Sequence, residues 1–303
     1  MITPSFPRSE KQAVGLQLKF NLILAACFLF GLVLSSFIFY QISRREAIEQ
    51  LQSQIDVLRA QALSVRRYTS EEVQPLLADQ SAVQFLPQTV PSFSAQTVFR
   101  NFRERYPQFY YKEAALNPTN PSDQAKDWEV DIIEALRKNP GMDRDIRVRN
   151  TDGDAFYTAT YPLVIRNADC LVCHSTPEKA PPSLVALYGS KNGFGWKMNE
   201  TVGAQIISVP MSDADAKIWK SFLLFVATTS AIFLGLLVLL DFMLYRLVIL
   251  PVRKMATTAE SVSMGDETAA EYQYASADEV GSLSRSFNRM RRSLASAMKM
   301  LES

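Results

Sequence analysis

The pattern of hydrophobic residues along the chain predicts two membrane-spanning helices. The runs Leu22 to Tyr40 and Phe222 to Leu240 contain no charged residue. Each is about 19 residues long, which is enough to cross a bilayer core of roughly 30 Å. The first run is too long for the core of a signal peptide, and no small-residue cleavage site follows it. The second is apolar all the way round, which is rare for a helix buried in a soluble core.

Positive charges near these runs predict the topology. They precede the first run and follow the second: Arg8, Lys11 and Lys19, then Arg246, Arg253 and Lys254. The positive-inside bias therefore places both termini in the cytoplasm, although Arg44 and Arg45 lie on the opposite side. We expect a cytoplasmic tail over residues 1–20, transmembrane helices over 21–43 and 219–245, an extracytoplasmic domain over 44–218 and a cytoplasmic domain over 246–303.

The outer segment begins with a helical pattern. Apolar residues recur there at three- and four-residue steps: Ile42, Ala47, Leu51, Ile55, Leu58, Ala62 and Val65. This spacing predicts an amphipathic helix that continues out of the membrane to about residues 69–75. A second helix is predicted from Asp127 to Leu136, because Lys138-Asn139-Pro140-Gly141 follows it as a stop signal.

The later part of the outer segment has the composition of β-strands. Three stretches rich in β-branched and aromatic residues are Ile146 to Arg149, Ala155 to Tyr161 and Gly203 to Pro210. The polar run from Asn150 to Asp154 suits a hairpin turn between the first two. The outer domain is therefore predicted to be α+β, with a small antiparallel sheet.

Aromatic and cationic residues are mixed from Phe99 to Tyr111. The cations are Arg100, Arg103 and Arg105. This segment could wall a flat, apolar, doubly anionic ligand. It could equally place aromatic rings in a core while the arginines extend outward to solvent.

Charge and cysteine content narrow the classes of function. A formal net charge of +1 excludes a basic nucleic-acid-binding protein, so no nucleic-acid partner is expected. The three cysteines are Cys27, inside the first apolar run, and the closely spaced Cys170 and Cys173. A framework of disulfides is thereby excluded.

The segment Cys170-Leu171-Val172-Cys173-His174 has the spacing of c-type haem attachment. Two thiols add to the two vinyl groups of haem, and the histidine that follows faces the iron as its proximal ligand. A thioredoxin-like thiol pair would sit at a helix start, whereas Pro177, Pro181 and Pro182 follow closely here. A zinc site would need a fourth ligand. We therefore predict covalent haem c, with its iron bound by His174.

His174 is the only histidine, so two histidines of one chain cannot both bind the iron. The sixth ligand is left open among methionine, a weaker ligand, water or none. The nearby methionines are Met142, Met198 and Met211. The segment Gly193-Phe194-Gly195-Trp196 could let the backbone approach a flat group, or it could form a tight turn with a buried aromatic ring.

The cytoplasmic end has the pattern of two short heptad helices. The apolar positions after Pro251 are Val252, Met255, Ala259 and Val262. A linker follows from Gly265 to Asp278. The apolar positions of the second helix are Val280, Leu283, Phe287, Met290, Leu294, Ala297 and Leu301. Such helices form a parallel four-helix coiled coil when two chains pair, which predicts a homodimer. An amphipathic pair packed on another protein would show the same pattern.

Two family resemblances are carried by these residues. Residues from about 246 to 300 resemble a HAMP domain, with Pro251 opening the first helix and Asp278-Glu279-Val280-Gly281 starting the second. The outer domain resembles a PAS-like c-type haem sensor domain of cyanobacterial and proteobacterial proteins. The residues that carry this second resemblance are Phe102 to Tyr111, Lys112 to Pro121, Trp128-Glu129, Cys170 to His174, Gly193 to Trp196 and Gly203 to Pro210.

The resemblance implies a PAS-like fold with haem beside the sheet, and a role in sensing redox state or a small gas. We expect a transmembrane sensor that signals through HAMP to a separate cytoplasmic kinase, cyclase or similar protein. The sensor domain is expected in the periplasm, with the chain in the plasma (inner) membrane or in a thylakoid membrane. No Gly-rich nucleotide loop, kinase histidine or catalytic carboxylate cluster occurs before Ser303, so the chain is not expected to be an enzyme.

Two other functions are compatible with haem at this motif. A membrane-anchored cytochrome could carry electrons outside the cytoplasm, with HAMP serving only to pair two chains. A haem peroxidase is the other, but the sequence has no second histidine for distal acid–base catalysis.

Overall fold

The computed structural model describes residues 15–151, 153–264 and 270–302. The cations Arg8 and Lys11, residue Asp152 of the predicted hairpin turn and residues 265–269 of the predicted linker lie outside this range. Of the described residues, those from Tyr40 to Ser221 form one compact unit, and the segments up to Phe39 and from Phe222 onward form another.

The described elements are helices of very different lengths and the four strands of one sheet. In chain order they are α1 (Leu16–Tyr68), α2 (Gln74–Leu76), α3 (Ala78–Val83), α4 (Pro91–Arg105), β1 (Tyr110–Ala115), α5 (Asp127–Lys138), β2 (Asp145–Thr151), β3 (Asp154–Val164), α6 (Cys170–His174), α7 (Pro182–Tyr188), β4 (Thr201–Pro210), α8 (Ser212–Leu244), α9 (Leu250–Ser263) and α10 (Glu279–Glu302). Single π-helical turns, Thr69–Val73 and Tyr245–Ile249, follow α1 and α8.

The unit Tyr40–Ser221, called the outer unit after its predicted location, is built on an antiparallel sheet with strand order β1-β4-β3-β2. The predicted hairpin joins β2 and β3, where Thr151 pairs with Asp154. β4 lies between β1 and β3, and all ten of its residues are buried. This arrangement confirms the predicted α+β class and antiparallel sheet.

Alternate side chains of the strands pack on opposite faces of the sheet. One face meets α1 and α4, and its buried residues include Leu51, Ile55, Phe99, Tyr157 and Ile207. The other face meets α5, where Ile132, Ile133, Ala204 and Ile206 are buried. The part of α1 with the predicted three- and four-residue spacing thus covers one face of the sheet.

The aromatic residues of the Phe99 to Tyr111 segment pack against one another. Phe99 is buried and stacks on Tyr111 with 4.3 Å between the ring centroids, while Phe102 packs edge-on against Phe99. Arg100, Arg103 and Arg105 are exposed. The structure therefore favours the interpretation of this segment as core with outward arginines over that of a ligand wall.

The second unit contains the apolar parts of α1 and α8. Both helices are long and apolar enough to cross a membrane, and their most apolar windows are not buried in protein. Phe30 on α1 is 73% exposed and Val238 on α8 is 67% exposed. The two helices contact each other through stacked rings, with 3.5 Å between the centroids of Phe28 and Phe233. Apolar surface of this extent is stable in lipid, so the chain is a membrane protein.

Helices α9 and α10 are joined by a segment whose described part, from residue 270, docks on α10. Ser284 Oγ and Asn288 Nδ2 donate hydrogen bonds to the Tyr272 carbonyl at 2.9 and 2.8 Å. Asp278 caps α10 by accepting from the Gly281 backbone N–H at 2.8 Å. A Cβ at residue 281 would lie 1.9 Å from the Ser276 carbonyl oxygen, so this close approach requires glycine.

Candidate functional site

The predicted haem-attachment motif lies on an excursion between two central strands. This excursion, residues 165–200, carries α6 and α7 and joins β3 to β4. Its base is closed by hydrogen bonds from Ile165 N to Glu200 O at 3.0 Å and from Asn199 N to Ile165 O at 2.8 Å. The site residues are therefore held next to the sheet, although they are far from either end of the domain in sequence.

Helix α6 contains all five residues of the motif. Asn167 starts this turn, because its carbonyl accepts from Cys170 N at 3.2 Å and its side chain accepts from Asp169 N at 3.0 Å. The helix begins at Cys170, where a thiol redox pair would also be found. We expected that a thioredoxin-like pair would differ from a haem-attachment motif by its position at a helix start. This expectation is wrong, because a short helix forms at Cys170, before the three prolines.

His174 is oriented by the segment Gly193 to Trp196. Its Nδ1 lies 2.7 Å from the Gly193 carbonyl oxygen, and its ring stacks on Trp196 with 3.8 Å between the centroids. Because a carbonyl oxygen can only accept, Nδ1 carries the proton and Nε2 is the nitrogen left for a metal. Thr119 Oγ1 is more distant, at 3.4 Å from Nδ1. Burial lowers the pKa of His174, while the Gly193 bond partly opposes this shift.

Main-chain bonds tie the same segment to the end of α6. Trp196 N donates to His174 O at 3.2 Å, and Gly195 N donates to Ser175 O at 2.8 Å. The motif and the segment Gly193 to Trp196 thus form one local unit. The segment forms a tight turn with the indole ring of Trp196 half-buried against His174, and its approach to a flat group stays a prediction.

The two thiols are unpaired and partly exposed. Burial raises the pKa of the Cys173 thiol, and the neighbouring Cys170 adds to this effect. Reactive thiol pairs instead have lowered pKa values. Within the described ranges, no three His, Cys, Asp or Glu side chains converge as ligands for one metal ion.

This donor set fits a c-type haem. In such a group the thiols bond to the porphyrin periphery and the imidazole alone binds the iron, so the three side chains need not converge on one point. A histidine that binds a metal commonly donates its other N–H to a backbone carbonyl, as His174 does to Gly193. Cys170, Cys173 and His174 could therefore hold haem, with Nε2 as the iron ligand.

The three candidate methionines lie in different surroundings. Met211 packs against the core on the α1 side of the sheet. Met142 is 36% exposed in the turn after α5, and Met198 is 43% exposed on the same excursion as His174. Packing accounts for Met211, and the sixth ligand stays a prediction.

Two structural features require glycine at residue 193. Its φ is +85°, and an added Cβ would lie 1.9 Å from Thr119 Oγ1. Gly195 has a similar φ of +83°, but no atom lies within 4 Å of its added Cβ. Alanine substitutions at these two glycines therefore separate the cost of the backbone conformation from the cost of a steric clash.

We expect Gly193→Ala to lower the melting temperature of the outer domain more than Gly195→Ala does. Both variants lose about 1 to 2 kcal/mol from the left-handed conformation. Only Gly193→Ala also pushes Thr119 away from His174. Thermal unfolding of both full-length variants checks this, and equal melting temperatures would contradict the close contact.

Pattern analysis alone missed the part of the site contributed by residues 117–119. The segment Asn117 to Pro121 enters the sequence analysis only through the family resemblance. Its Thr119 approaches both His174 and Gly193. The signal that could have found it is the dense Asn-Pro-Thr-Asn-Pro run directly after a strand.

The fold and the site together define a class. In chain order, an α+β domain lies between two candidate membrane helices, and a HAMP-like pair of helices follows the second, which is the organisation of a transmembrane signalling protein. Residues 44–210, more than half of the chain, match the Tll0287-like family, so the protein belongs to that family. Residues 243–296 match the HAMP domain. Both matches confirm the resemblances drawn from the sequence.

One solved structure is similar to the outer part of the chain. The crystal structure of the cyanobacterial heme-protein Tll0287 is 18% identical and covers 55% of this chain and 91% of that chain, with a TM-score of 0.34. No curated protein matches the chain.

Proposed function

We propose that this protein is a transmembrane sensor carrying one covalent c-type haem on Cys170, Cys173 and His174. The domain over residues 44–218 is outside the cytoplasm, in the periplasm of a cell with an inner membrane. It relays redox state or small-ligand binding through a homodimeric HAMP domain to a separate cytoplasmic output protein. The chain is a signalling component and not itself an enzyme.

The observation that carries the proposal is the environment of His174 within its motif. The imidazole directly follows two thiols at the haem-attachment spacing, and Nδ1 is engaged by the Gly193 carbonyl. Nε2 is thus the nitrogen presented for iron. Membership of a family that includes a protein described as a heme-protein is additional support.

The connection from the site to the membrane is short. The segment Gly193 to Trp196, which holds His174, precedes β4 by only four residues. Met211 alone separates the end of β4 from the start of α8. Helix α8, its π-helical turn and α9 then form one continuous helical stretch, Ser212–Ser263. A displacement of His174 would therefore act on a buried central strand that is covalently joined to the membrane helix.

Each residue of the site has a distinct task. Cys170 and Cys173 tether the group, His174 Nε2 binds its iron, and the Gly193 carbonyl holds the proton on Nδ1. When bound, the iron would supply one-electron redox chemistry and a position for a small ligand. A sensor additionally needs an element with two states that the site biases unequally. The HAMP helices supply one, since Leu283, Met290 and Leu294 on α10 are about half exposed in a single chain and await a second copy.

Optical spectra of the full-length protein, coexpressed with a haem c maturation system, test the proposal. Spectra are recorded oxidised, reduced, and reduced with carbon monoxide. We expect a covalent haem spectrum in the first two states. Rapid carbon monoxide binding would indicate an open or labile sixth position and favour ligand sensing. No binding would indicate a firm second ligand and leave redox sensing or electron transfer. Absence of haem under these conditions would refute the proposal.

The alternative function is a membrane-anchored electron-transfer cytochrome. The exposure of the motif favours it, because Val172 between the two cysteines is 56% exposed. A spin label at Ser296, an exposed position of α10, separates the two functions in a Cys27→Ala background. For a sensor, the label–label distance in the dimer should differ between the oxidised and reduced protein. An unchanged distance together with fast electron exchange would favour the cytochrome.

A further inference from the structure

The side chain of Asn117 forms two hydrogen bonds with the loop that orients His174. Its Oδ1 accepts from Gly193 N at 3.1 Å, and its Nδ2 donates to Phe194 O at 3.2 Å. Only one orientation of the amide satisfies both groups, because one backbone group donates and the other accepts. The two groups flank the peptide bond between Gly193 and Phe194. The carbonyl of that bond is the acceptor for His174 Nδ1.

Asn117 is itself held at the edge of the sheet. The preceding residue, Leu116, donates its N–H to Val202 O of β4 at 3.3 Å and accepts from Gln124 Nε2 at 3.2 Å. The following residue, Pro118, is buried and has a fixed φ. The amide of Asn117 therefore reaches the loop from a backbone that is restrained on both sides.

We propose that Asn117 is a positioning residue that sets the strength of the hydrogen bond between His174 and Gly193, and through it the reduction potential of the haem. The inference rests on the proposed function. A firm bond from Nδ1 makes the imidazole a more basic ligand. A more basic ligand favours the ferric over the ferrous state, so weakening the bond raises the reduction potential.

Asn117→Ala removes both contacts to the loop and leaves Gly193 N and Phe194 O to water. The Gly193 carbonyl is then free to move away from Nδ1. We expect the preference of the site for ferric over ferrous iron to fall about tenfold, which corresponds to about 59 mV for a one-electron couple. The potential should rise, while the two thioether bonds remain.

The experiment is a redox titration of the full-length protein, followed in the visible spectrum. The matched control is Asn139→Ala, because the Asn139 side chain bonds only its own helix, to Ala135 O at 2.9 Å, in the contacts described. Asn117→Leu is a second variant, because leucine is similar in size to asparagine and carries no charge. It removes both contacts to the loop, so a rise like that of Asn117→Ala is expected.

The outcomes separate the two proposals. If the unaltered protein carries no covalent haem, the proposed function fails. If it does, and either Asn117 variant holds haem at the unaltered potential, the positioning role is overturned. If both variants lose haem but keep the unaltered melting temperature, Asn117 is needed to place the ligand and the role is supported. If both lose the fold while Asn139→Ala keeps it, Asn117 is a stability residue and the inference is wrong.

Discussion

Replacing Cys170 and Cys173 together with alanine is expected to abolish covalent haem attachment completely. Each thioether requires one thiol, and the remaining cysteine, Cys27, lies within the first membrane run. His174 and its bond to Gly193 would be retained, so any haem that still binds should be extractable with acidified acetone. Denaturing electrophoresis with a haem-dependent peroxidase stain measures this, and the stain should disappear.

Two variants control this result. Cys27→Ala should keep the full stain, because that thiol lies outside the motif. A single Cys170→Ala change should leave one thioether, so covalent haem should persist with its α-band displaced to longer wavelength. Haem that resists extraction from the doubly substituted protein would show that the motif is not the attachment site.

Replacing Lys112 with methionine is expected to destabilise the outer domain strongly. Lys112 Nζ lies 2.7 Å from Glu129 Oε2, and their side chains are 11% and 0% exposed. Removing one partner leaves a buried carboxylate without its cation, which costs about 3 to 5 kcal/mol. Burial, followed by the charge of Glu129, raises the pKa of neighbouring Tyr110 to about 12, so the tyrosine stays neutral and adds no second negative charge beside the carboxylate.

Chemical unfolding of the full-length protein, followed by tryptophan fluorescence, measures this change. Arg147→Met is the matched control, because Arg147 pairs with Asp145 while its own side chain is 48% exposed. That loss should cost less than about 1 kcal/mol. Adding Glu129→Leu to Lys112→Met should restore much of the stability, since no charge is then buried alone. Equal losses for Lys112→Met and Arg147→Met would contradict the buried pair.

The same ion pair explains why β1 was not predicted. Its sequence, Tyr-Tyr-Lys-Glu-Ala-Ala, has two adjacent charges in a strand that is largely buried. Lys112 faces Glu129, whereas Glu113 on the opposite face accepts from Arg66 and Tyr111. The partners are 17 and 47 residues away in sequence for the two ion pairs. Local polarity therefore indicates an exposed segment, because the neutralising groups arrive only through the fold.

Helix α4 was missed for a related reason. Its arginines and aromatic rings did not show a clear amphipathic period, and its start depends on Pro91 at the first helical position. By contrast, α5 and the strands β2, β3 and β4 contain the segments assigned from the sequence. In α5 the apolar residues keep one helical period, and the strand segments are rich in β-branched and aromatic residues, so local composition agrees with the observed elements.

The sequence by itself determined the features that depend on local composition or covalent chemistry. These are the two apolar runs, the helix spacing after the first run, and the spacing of Cys170, Cys173 and His174. Tertiary structure alone decided the strand order and the partner of His174. Gly193 is 19 residues from His174 and Asn117 is 76 residues from Gly193, and no local period links them. Such contacts form only when the sheet assembles and brings the turn after β1 beside the excursion between β3 and β4.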